Sequence, residues 1–583
     1  MAKKMLNVTI DGVKVSVEEG STILDAAKVA GVKIPTLCYL KDLNPAGACR
    51  ICLVEATGAR GLVASCVYPV SEGMVVTTNS DRIRKARKMN LELLLSNHRK
   101  ECSDCLMSRE CKLKEYSEIY MANEKKYAGK KTQAEYDNSG ACIIRDPSKC
   151  IVCKRCEKAC QLLQSVSVIH ANHRGFNTVI APAYDKLMNQ TACVGCGQCT
   201  LVCPTGALTE KDDTQKVFDA LSNPELTVVV SPAPSVRVTL GEEFGYPIGT
   251  DVEGKMVSAL RRLGFKYVFD VDFAADLTIM EEAHEFIDRV KNGGKLPMFT
   301  SCSPGWVNFM AAYYPDMMDN MSTAKSPMQM QGACVKTYWA EKMNIDPAKI
   351  FTVHVMPCTA KKSEVEFECD ALKAKGLKDT DAVITVRELA RMLRQKGVDF
   401  RKLPEGKFDD PIGESTGAGV IFGATGGVME AALRTAADVL TGQDIKDVDY
   451  KVVRGTKGIK TAKLNIAGKE INICVVSGLA NARQVLDQIK AGKANYQFVE
   501  IMCCPGGCVG GGGTPYVDYN EIDRETVNKL RAKALYKNDA AKQYRKSHKN
   551  PSIVKIYKEY FEKPNSHKAH AILHRSYKAR KFI

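Results

Sequence analysis

At 583 residues, 45% apolar and 26% charged, the chain can bury several cores, and its length suggests about four domains. Twenty-four cysteines exceed the needs of an ordinary cytosolic enzyme, leaving disulfides, zinc ligands or iron–sulfur ligands to be separated by compartment and spacing. The opening MAKKMLNVTIDG turns polar too early for a signal-peptide core, and no apolar run reaches the length of a membrane span. The expectation is a cytoplasmic protein without disulfides.

The formal net charge of +16 is uneven: residues 521–583 hold 17 Lys/Arg against 6 Asp/Glu, a net +11 that leaves +5 for the rest. This tail lacks nucleic-acid-binding motifs, so no nucleic-acid partner is expected. It reads as a wrap over an acidic, cluster-rich body or as a guide for an acidic electron carrier.

Residues 5–17 alternate as two strands around Asp11-Gly12, a strong hairpin signal. A helix follows from Ser21, taken as the N-cap, to Gly31. Then Cys38, Cys49, Cys52 and Cys66 stand at C-x10-C-x2-C-x13-C. Strand, helix and four-cysteine loop resemble a plant-type ferredoxin with a 2Fe-2S cluster, though the first gap is longer than the simple spacing. Four thiolates also suit zinc, which is the rival here.

The period of residues 82–95 predicts a helix with a basic face. After it, His98, Cys102, Cys105 and Cys111 resemble the one-histidine, three-cysteine 4Fe-4S site of a peripheral-arm subunit of respiratory complex I. Imidazole in place of thiolate makes such a cluster less negative and easier to reduce. Residues 112–140 are polar and free of cysteine, and are expected to form a helical connector.

Cys150, Cys153, Cys156 and Cys160, then Cys193, Cys196, Cys199 and Cys203, each follow C-x2-C-x2-C-x3-C. This is the bacterial two-cluster pattern, in which each fourth cysteine serves the other cluster. Cys203 is therefore expected with Cys150, and Cys160 with Cys193. Zinc modules rarely pack four cysteines so tightly. Four clusters in the first 210 residues make a wire for single electrons.

From residue 216 strands and helices alternate as in an α/β domain, beginning with a buried strand over 226–230. Three loops then carry cysteine: Thr300-Ser301-Cys302-Ser303-Pro304-Gly305-Trp306, Met356-Pro357-Cys358-Thr359-Ala360-Lys361, and Glu500-Ile501-Met502-Cys503-Cys504-Pro505-Gly506-Gly507-Cys508, followed by Gly510 to Gly513. Glycine there lets the backbone approach a cluster closely. The glycines of 417–423 lack the G-x-G-x-x-G register and a preceding strand, which argues against a dinucleotide site.

With these loops the chain resembles the iron-only (FeFe) hydrogenases over nearly its whole length. The fold this implies is multidomain α+β and α/β: ferredoxin-like iron–sulfur domains followed by a two-lobed α/β H-cluster domain. Expected boundaries are 1–80 (2Fe-2S), 81–128 (one histidine, three cysteines), 129–212 (two 4Fe-4S), 213–520 (H-cluster domain) and 521–583 (C-terminal helical wrap). The resemblance implies an H-cluster, a 4Fe-4S cube joined to a diiron unit with CO, cyanide and a bridging dithiolate amine. Cys358, Cys504 and Cys508 match cube ligands, with Cys508 bridging to the diiron unit, and Lys361 matches a donor to cyanide. Ala233, Pro234, Ser235, Met356 and Met502 match pocket residues. Cys302, Glu282, Ser322 and Glu285 match a proton relay. Electrons would pass to ferredoxin or to flavoprotein NAD(P)-reactive subunits in a hetero-oligomer.

The family has two adjacent cysteines where this chain has Cys302-Ser303, and usually glutamine where it has Met328. Ser303 as an alkoxide ligand, Cys302 or Cys503 as a replacement ligand, and a labile cube are the three readings. A hydrogen sensor or electron-transfer subunit with an altered cluster is the alternative class. It explains Ser303 but not the relay residues. A complex I-like redox subunit explains only the first 210 residues. Cys142, Cys334, Cys369 and Cys474 match no ligand motif and read as structural.

Overall fold

The computed structural model describes residues 4–367, 369–466 and 468–580. Its first unit is a five-stranded sheet in the order Val13–Glu18, Met5–Ile10, Val75–Thr77, Leu53–Ala56, Val63–Ala64. Asp11 and Gly12 both take positive φ, the conformation a two-residue hairpin turn demands. The helix is Ile23–Val29, capped by Thr22 and not by Ser21. Thr22 and Asp25 exchange side-chain and backbone hydrogen bonds as a capping box, and the acid three residues on selects the threonine.

Ser80 caps the helix Asp81–Asn97, and a shorter helix, Lys112–Ile119, follows. The expected helical connector ends there: no regular element lies between residues 120 and 142. This stretch has no apolar stripe to bury, and Met121 is 79% exposed.

The two-cysteine-motif unit folds as a repeat. Ile143–Arg145 pairs with Leu208–Glu210, and Ile169–Asn172 with Val179–Pro182, both antiparallel. In each cysteine loop two corresponding residues take positive φ: Val152 and Lys154 in the first, Gly195 and Gly197 in the second. Only the second loop needs glycine. A Cβ at Gly195 would stand 2.7 Å from Cys142 Sγ, and one at Gly197 would stand 2.4 Å from Thr359 Oγ1. The sequence difference between the repeats records that the second loop faces the catalytic domain.

That domain holds two four-stranded sheets. One is wholly parallel, in the order Tyr267–Val268, Thr227–Pro232, Ile350–Met356, Ala382–Thr385. In the other, Met298–Phe299, Phe498–Met502 and Lys469–Ser477 run parallel and Ile459–Ile466 closes the edge antiparallel. The long helix Val271–Asn292 presents one face to each half, with Phe273, Ala274 and Leu277 in one core and Ala275, Ile279 and Ala283 in another.

The C-terminal segment is helical as expected, opening with the 18-residue helix Arg524–Ala541; Pro551–Ile556 and His567–Leu573 follow. Several of its basic groups are spent on the body beneath: Arg531 pairs with Glu242 at 2.6 Å and Lys546 with Asp438 at 2.6 Å. No described helix is long and apolar enough to cross a membrane.

Candidate active site

The three cysteine loops leave the carboxyl ends of parallel strands, where open α/β sheets place their ligands. Ala233 and Pro234 follow Thr227–Pro232, Cys358 follows Ile350–Met356, Cys302 and Ser303 follow Met298–Phe299, and Cys508 follows Phe498–Met502. All of these, with Met356, Met502, Lys361 and Met328, line one cavity between the two sheets. Ser235, next after Pro234, is fully buried against Gly423, which itself lines the cavity, and its hydroxyl has no partner. Cys504 is close enough to Cys358 and Cys508 to raise both thiols.

The glycine run explains how the walls meet. A Cβ at Gly511 would stand 2.2 Å from the Pro357 carbonyl, and one at Gly512 would stand 2.3 Å from the Cys196 carbonyl. The run therefore packs backbone to backbone against both the Cys358 loop and the accessory cysteine loop. Thr359 Oγ1 donates to the Gly195 carbonyl at 2.6 Å and Gln198 Nε2 to that of Gly510 at 2.9 Å.

Burial pushes the Cys358 thiol far up and that of Cys508 to about 12, with the neighbouring Cys504 adding to both. Such thiols ionise only beside strong positive charge, and bound iron supplies it. The donor set of three thiols, one hydroxyl and a lysine in an apolar cavity thus fits an iron–sulfur group. Lys361 is held by Glu364 at 2.7 Å, and Glu364 also accepts from Ser326 at 2.9 Å. Sequence reasoning missed this carboxylate and also Glu500. Glu500 accepts from Gly426 N at 2.6 Å and Met429 N at 2.7 Å, fixing the segment that abuts Gly507. Neither signals itself in sequence, since both act through tertiary neighbours.

On the other side of the cavity Cys302 stands beside Glu282, which is fully buried and has no hydrogen-bond partner on either oxygen. Burial, then the Glu285 charge, pushes Glu282 up to about 8. Ser322 Oγ donates to Glu285 Oε2 at 2.9 Å, and Arg289 Nη2 to Glu285 Oε1 at 2.6 Å. Glu282 and Glu285 sit one turn apart on the same helix, so a line of titratable groups runs from cavity to surface.

The accessory ligand candidates also gather. Cys150, Cys153, Cys156 and Cys203 line a single small cavity, and Cys160 lies with Cys193, Cys196 and Cys199, the crossed grouping. Cys38 is held far below its ordinary range by hydrogen bonds from Cys49 and Cys66, and Cys52 lies 3.3 Å from Cys66. His98 Nδ1 lies 3.1 Å from the Lys149 carbonyl. A carbonyl only accepts, so Nδ1 carries the proton and Nε2 keeps a free lone pair. Burial raises Cys111 to about 11, Cys105 and Cys102 adding to it. Cys142, Cys334, Cys369 and Cys474 are buried.

Residues 226–512 match the model of the iron only hydrogenase large subunit, C-terminal domain, and residues 525–580 that of the iron hydrogenase small subunit. Upstream, 3–81 match a 2Fe-2S cluster binding domain, 87–126 the NADH-ubiquinone oxidoreductase-G iron-sulfur binding region, and 149–207 a 4Fe-4S dicluster domain. The chain is 49% identical to NADP-reducing hydrogenase subunit HndD of Solidesulfovibrio fructosivorans, over 98% of this chain and 99% of that protein. The chain belongs to the FeFe hydrogenase family. Iron hydrogenase 1 of Clostridium pasteurianum is 41% identical over 98% of this chain and all of its own length. The apo structure of FeFe-hydrogenase HydA1 from Chlamydomonas reinhardtii superposes with a TM-score of 0.57 at 39% identity, covering 63% of this hydrogenase chain and 99% of its own. Ferredoxin-like domains ahead of an H-cluster domain are thus the architecture of this hydrogenase.

Proposed function

We propose that the chain catalyses H2 ⇌ 2 H+ + 2 e−, with one 2Fe-2S and three 4Fe-4S clusters relaying electrons to ferredoxin or to a flavoprotein NAD(P)-reactive partner. The observation that carries this reading is the cavity that Cys302, Cys358, Cys508 and Lys361 share, continued outward by Glu282, Ser322 and Glu285. Cys358, Cys504 and Cys508 would hold the cube of an H-cluster, Ser303 would take its fourth corner, and Lys361 would offer a charged hydrogen bond to a cyanide. When bound, that cofactor supplies the diiron chemistry of hydrogen. The protein's part is to exclude water with Ala233, Pro234, Met328, Met356 and Met502, and to move protons. Cys302 exchanges a proton with Glu282, whose raised pKa lets it both take and release one near neutrality. Ser322 and Glu285 carry it to the rim.

The domain boundaries proposed are 1–80, 81–128, 129–212, 213–520 and 521–583. A relative named as a subunit of an NADP-reducing hydrogenase supports a hetero-oligomer. Ser303 in the cavity favours one competing reading, a sensor or electron-transfer subunit. Infrared spectroscopy of anaerobically matured protein separates them. Metal-bound CO and cyanide bands that shift under hydrogen are expected; fully iron-loaded protein without such bands is the electron-transfer subunit.

A further inference from the structure

The outer end of the proton path is held by the far end of the chain. Residues 322–325 lie antiparallel to residues 573–575: Lys325 N donates to the Leu573 carbonyl at 2.8 Å, Arg575 N donates to that of Thr323 at 2.9 Å, and Ala324 and His574 form the bridge between them. His574, within the stretch that matches the small-subunit model, is 7% exposed. Its two ring nitrogens meet different partners. Nε2 lies 2.9 Å from Glu281 Oε2, and Nδ1 lies 2.8 Å from Thr323 Oγ1. An ionised carboxyl only accepts, so beside it Nε2 carries the proton of a neutral imidazole and Nδ1 is left to accept from the Thr323 hydroxyl. Thr323 in turn donates its backbone N–H to both oxygens of Glu285, at 3.0 and 3.2 Å.

We propose that His574 is a positioning residue for proton transfer: through the Thr323 hydroxyl it holds the Thr323 N–H on Glu285, and so fixes that carboxyl against Ser322. The inference rests on reading Glu282, Ser322 and Glu285 as the proton path. A glutamate side chain left to itself samples several rotamers, and confining it costs entropy. Ser322 Oγ and Arg289 Nη2 also donate to Glu285, but both are side-chain donors that can turn with it. The Thr323 N–H is a backbone donor, whose direction is set by the chain. A threonine hydroxyl without a partner bonds to nearby backbone groups instead and competes with local structure. His574 gives that hydroxyl a fixed acceptor, and Glu281 fixes the imidazole that provides it. Proton transfer needs its groups within hydrogen-bond reach, so loosening Glu285 interrupts the path although no member of it has been removed.

The test compares the full matured chain with Thr323→Val, His574→Gln, His574→Asn and the Thr323→Val/His574→Gln pair. Asparagine can place an acceptor oxygen where Nδ1 stands and keep the Thr323 arm, whereas glutamine can place an N–H where Nε2 stands and keep only the Glu281 arm. Expected are unchanged iron content throughout, hydrogen turnover lowered about tenfold in Thr323→Val and in His574→Gln, part of what an acid–base group contributes, with a raised solvent isotope effect in both. The pair should lose no more than either single variant, and His574→Asn should recover turnover. In iron-free protein, hydrogen exchange over residues 321–326 should quicken in the same two variants and not in His574→Asn. Wild-type turnover and isotope effect in Thr323→Val would overturn the proposal. So would losses that multiply in the pair, or lost turnover with a lowered melting temperature and an unchanged isotope effect, the mark of a contact that only holds the fold. Should His574→Gln fail to fold, Thr323→Val decides alone. Wild-type protein without metal-bound CO and cyanide bands would refute the hydrogenase reading first, and exchange in iron-free protein would still decide whether His574 holds Thr323.

Discussion

Glu282 carries an unusual burden for one side chain, a fully buried carboxyl with no hydrogen-bond partner beside a thiol. Glu282→Gln keeps the shape and removes the proton. Hydrogen turnover is expected to fall by about 10²-fold or more with iron content unchanged, the scale of a lost general acid–base group. The pH dependence has a definite sign. A carboxyl raised to about 8 when folded is still protonated there after the unfolded chain has ionised. The contribution of Glu282 to stability is full below the unfolded pKa and declines as pH rises through that window toward 8. The melting temperature of iron-free Glu282→Gln should gain on the wild type between pH 5 and 8, and equal gaps at both ends would refute the assignment. Ser303 is the other single-residue question. Oxygen is a harder donor than sulfur and favours the oxidised cube, so Ser303→Cys should raise the cube's potential at constant iron content, measured by redox titration followed by EPR. The four-cysteine groups were legible because ligand spacing is local along the chain. The packing of Ser235 against Gly423 was not, since it joins segments about 190 positions apart that only the tertiary fold brings together.

Elements here are held by contacts that tolerate little change. The Gly510–Gly513 run packs against two backbones, and Gly512→Ala drives a methyl into the Cys196 carbonyl and Gly197 Cα. Overpacking of this kind costs about 1–3 kcal/mol, and the expected readout is a lowered melting temperature with lost coupling between accessory clusters and catalytic site. The C-terminal segment is anchored by another buried acid. Glu281 accepts from Tyr557 Oη, from Asn565 N at 2.8 Å and from His574 Nε2 at 2.9 Å. Glu281→Ala strands buried donors at about 1–3 kcal/mol each. Hydrogen exchange should rise first over residues 557–574 and only later in the parallel sheets. The hairpin at Asp11-Gly12 was readable because turn chemistry is local. The connector after residue 119 misled because low apolar content forbids a stable helix as well as a buried one. The capping error at Ser21 was a choice between adjacent hydroxyl residues that Asp25 decides.

Across the whole molecule the accessory units form a chain of direct contacts. Asn44 Nδ2 donates to the carbonyls of both Cys38 and Cys153 at 2.8 Å, the Lys149 carbonyl meets His98, and Thr359 meets Gly195. Disabling an intermediate position should therefore divide the activity. Cys153→Ala is expected to depress reduction of an external carrier by hydrogen while hydrogen–deuterium exchange at the catalytic site persists; parallel loss of both would argue against a serial wire. The order of iron–sulfur units ahead of the catalytic domain was legible from cysteine spacing together with the family resemblance it carries, whereas the seam between the two sheets was not, because it joins loops separated by up to about 270 positions. That seam has a further consequence. Every cysteine around the catalytic cavity hangs from the end of a strand and none from its middle. The ladders of both sheets use none of these cysteines, unlike small domains whose folding is the metal binding itself. The iron-free catalytic domain is therefore expected to keep its sheets, read as unchanged far-ultraviolet circular dichroism, and such a scaffold would be a vessel that waits for its cargo.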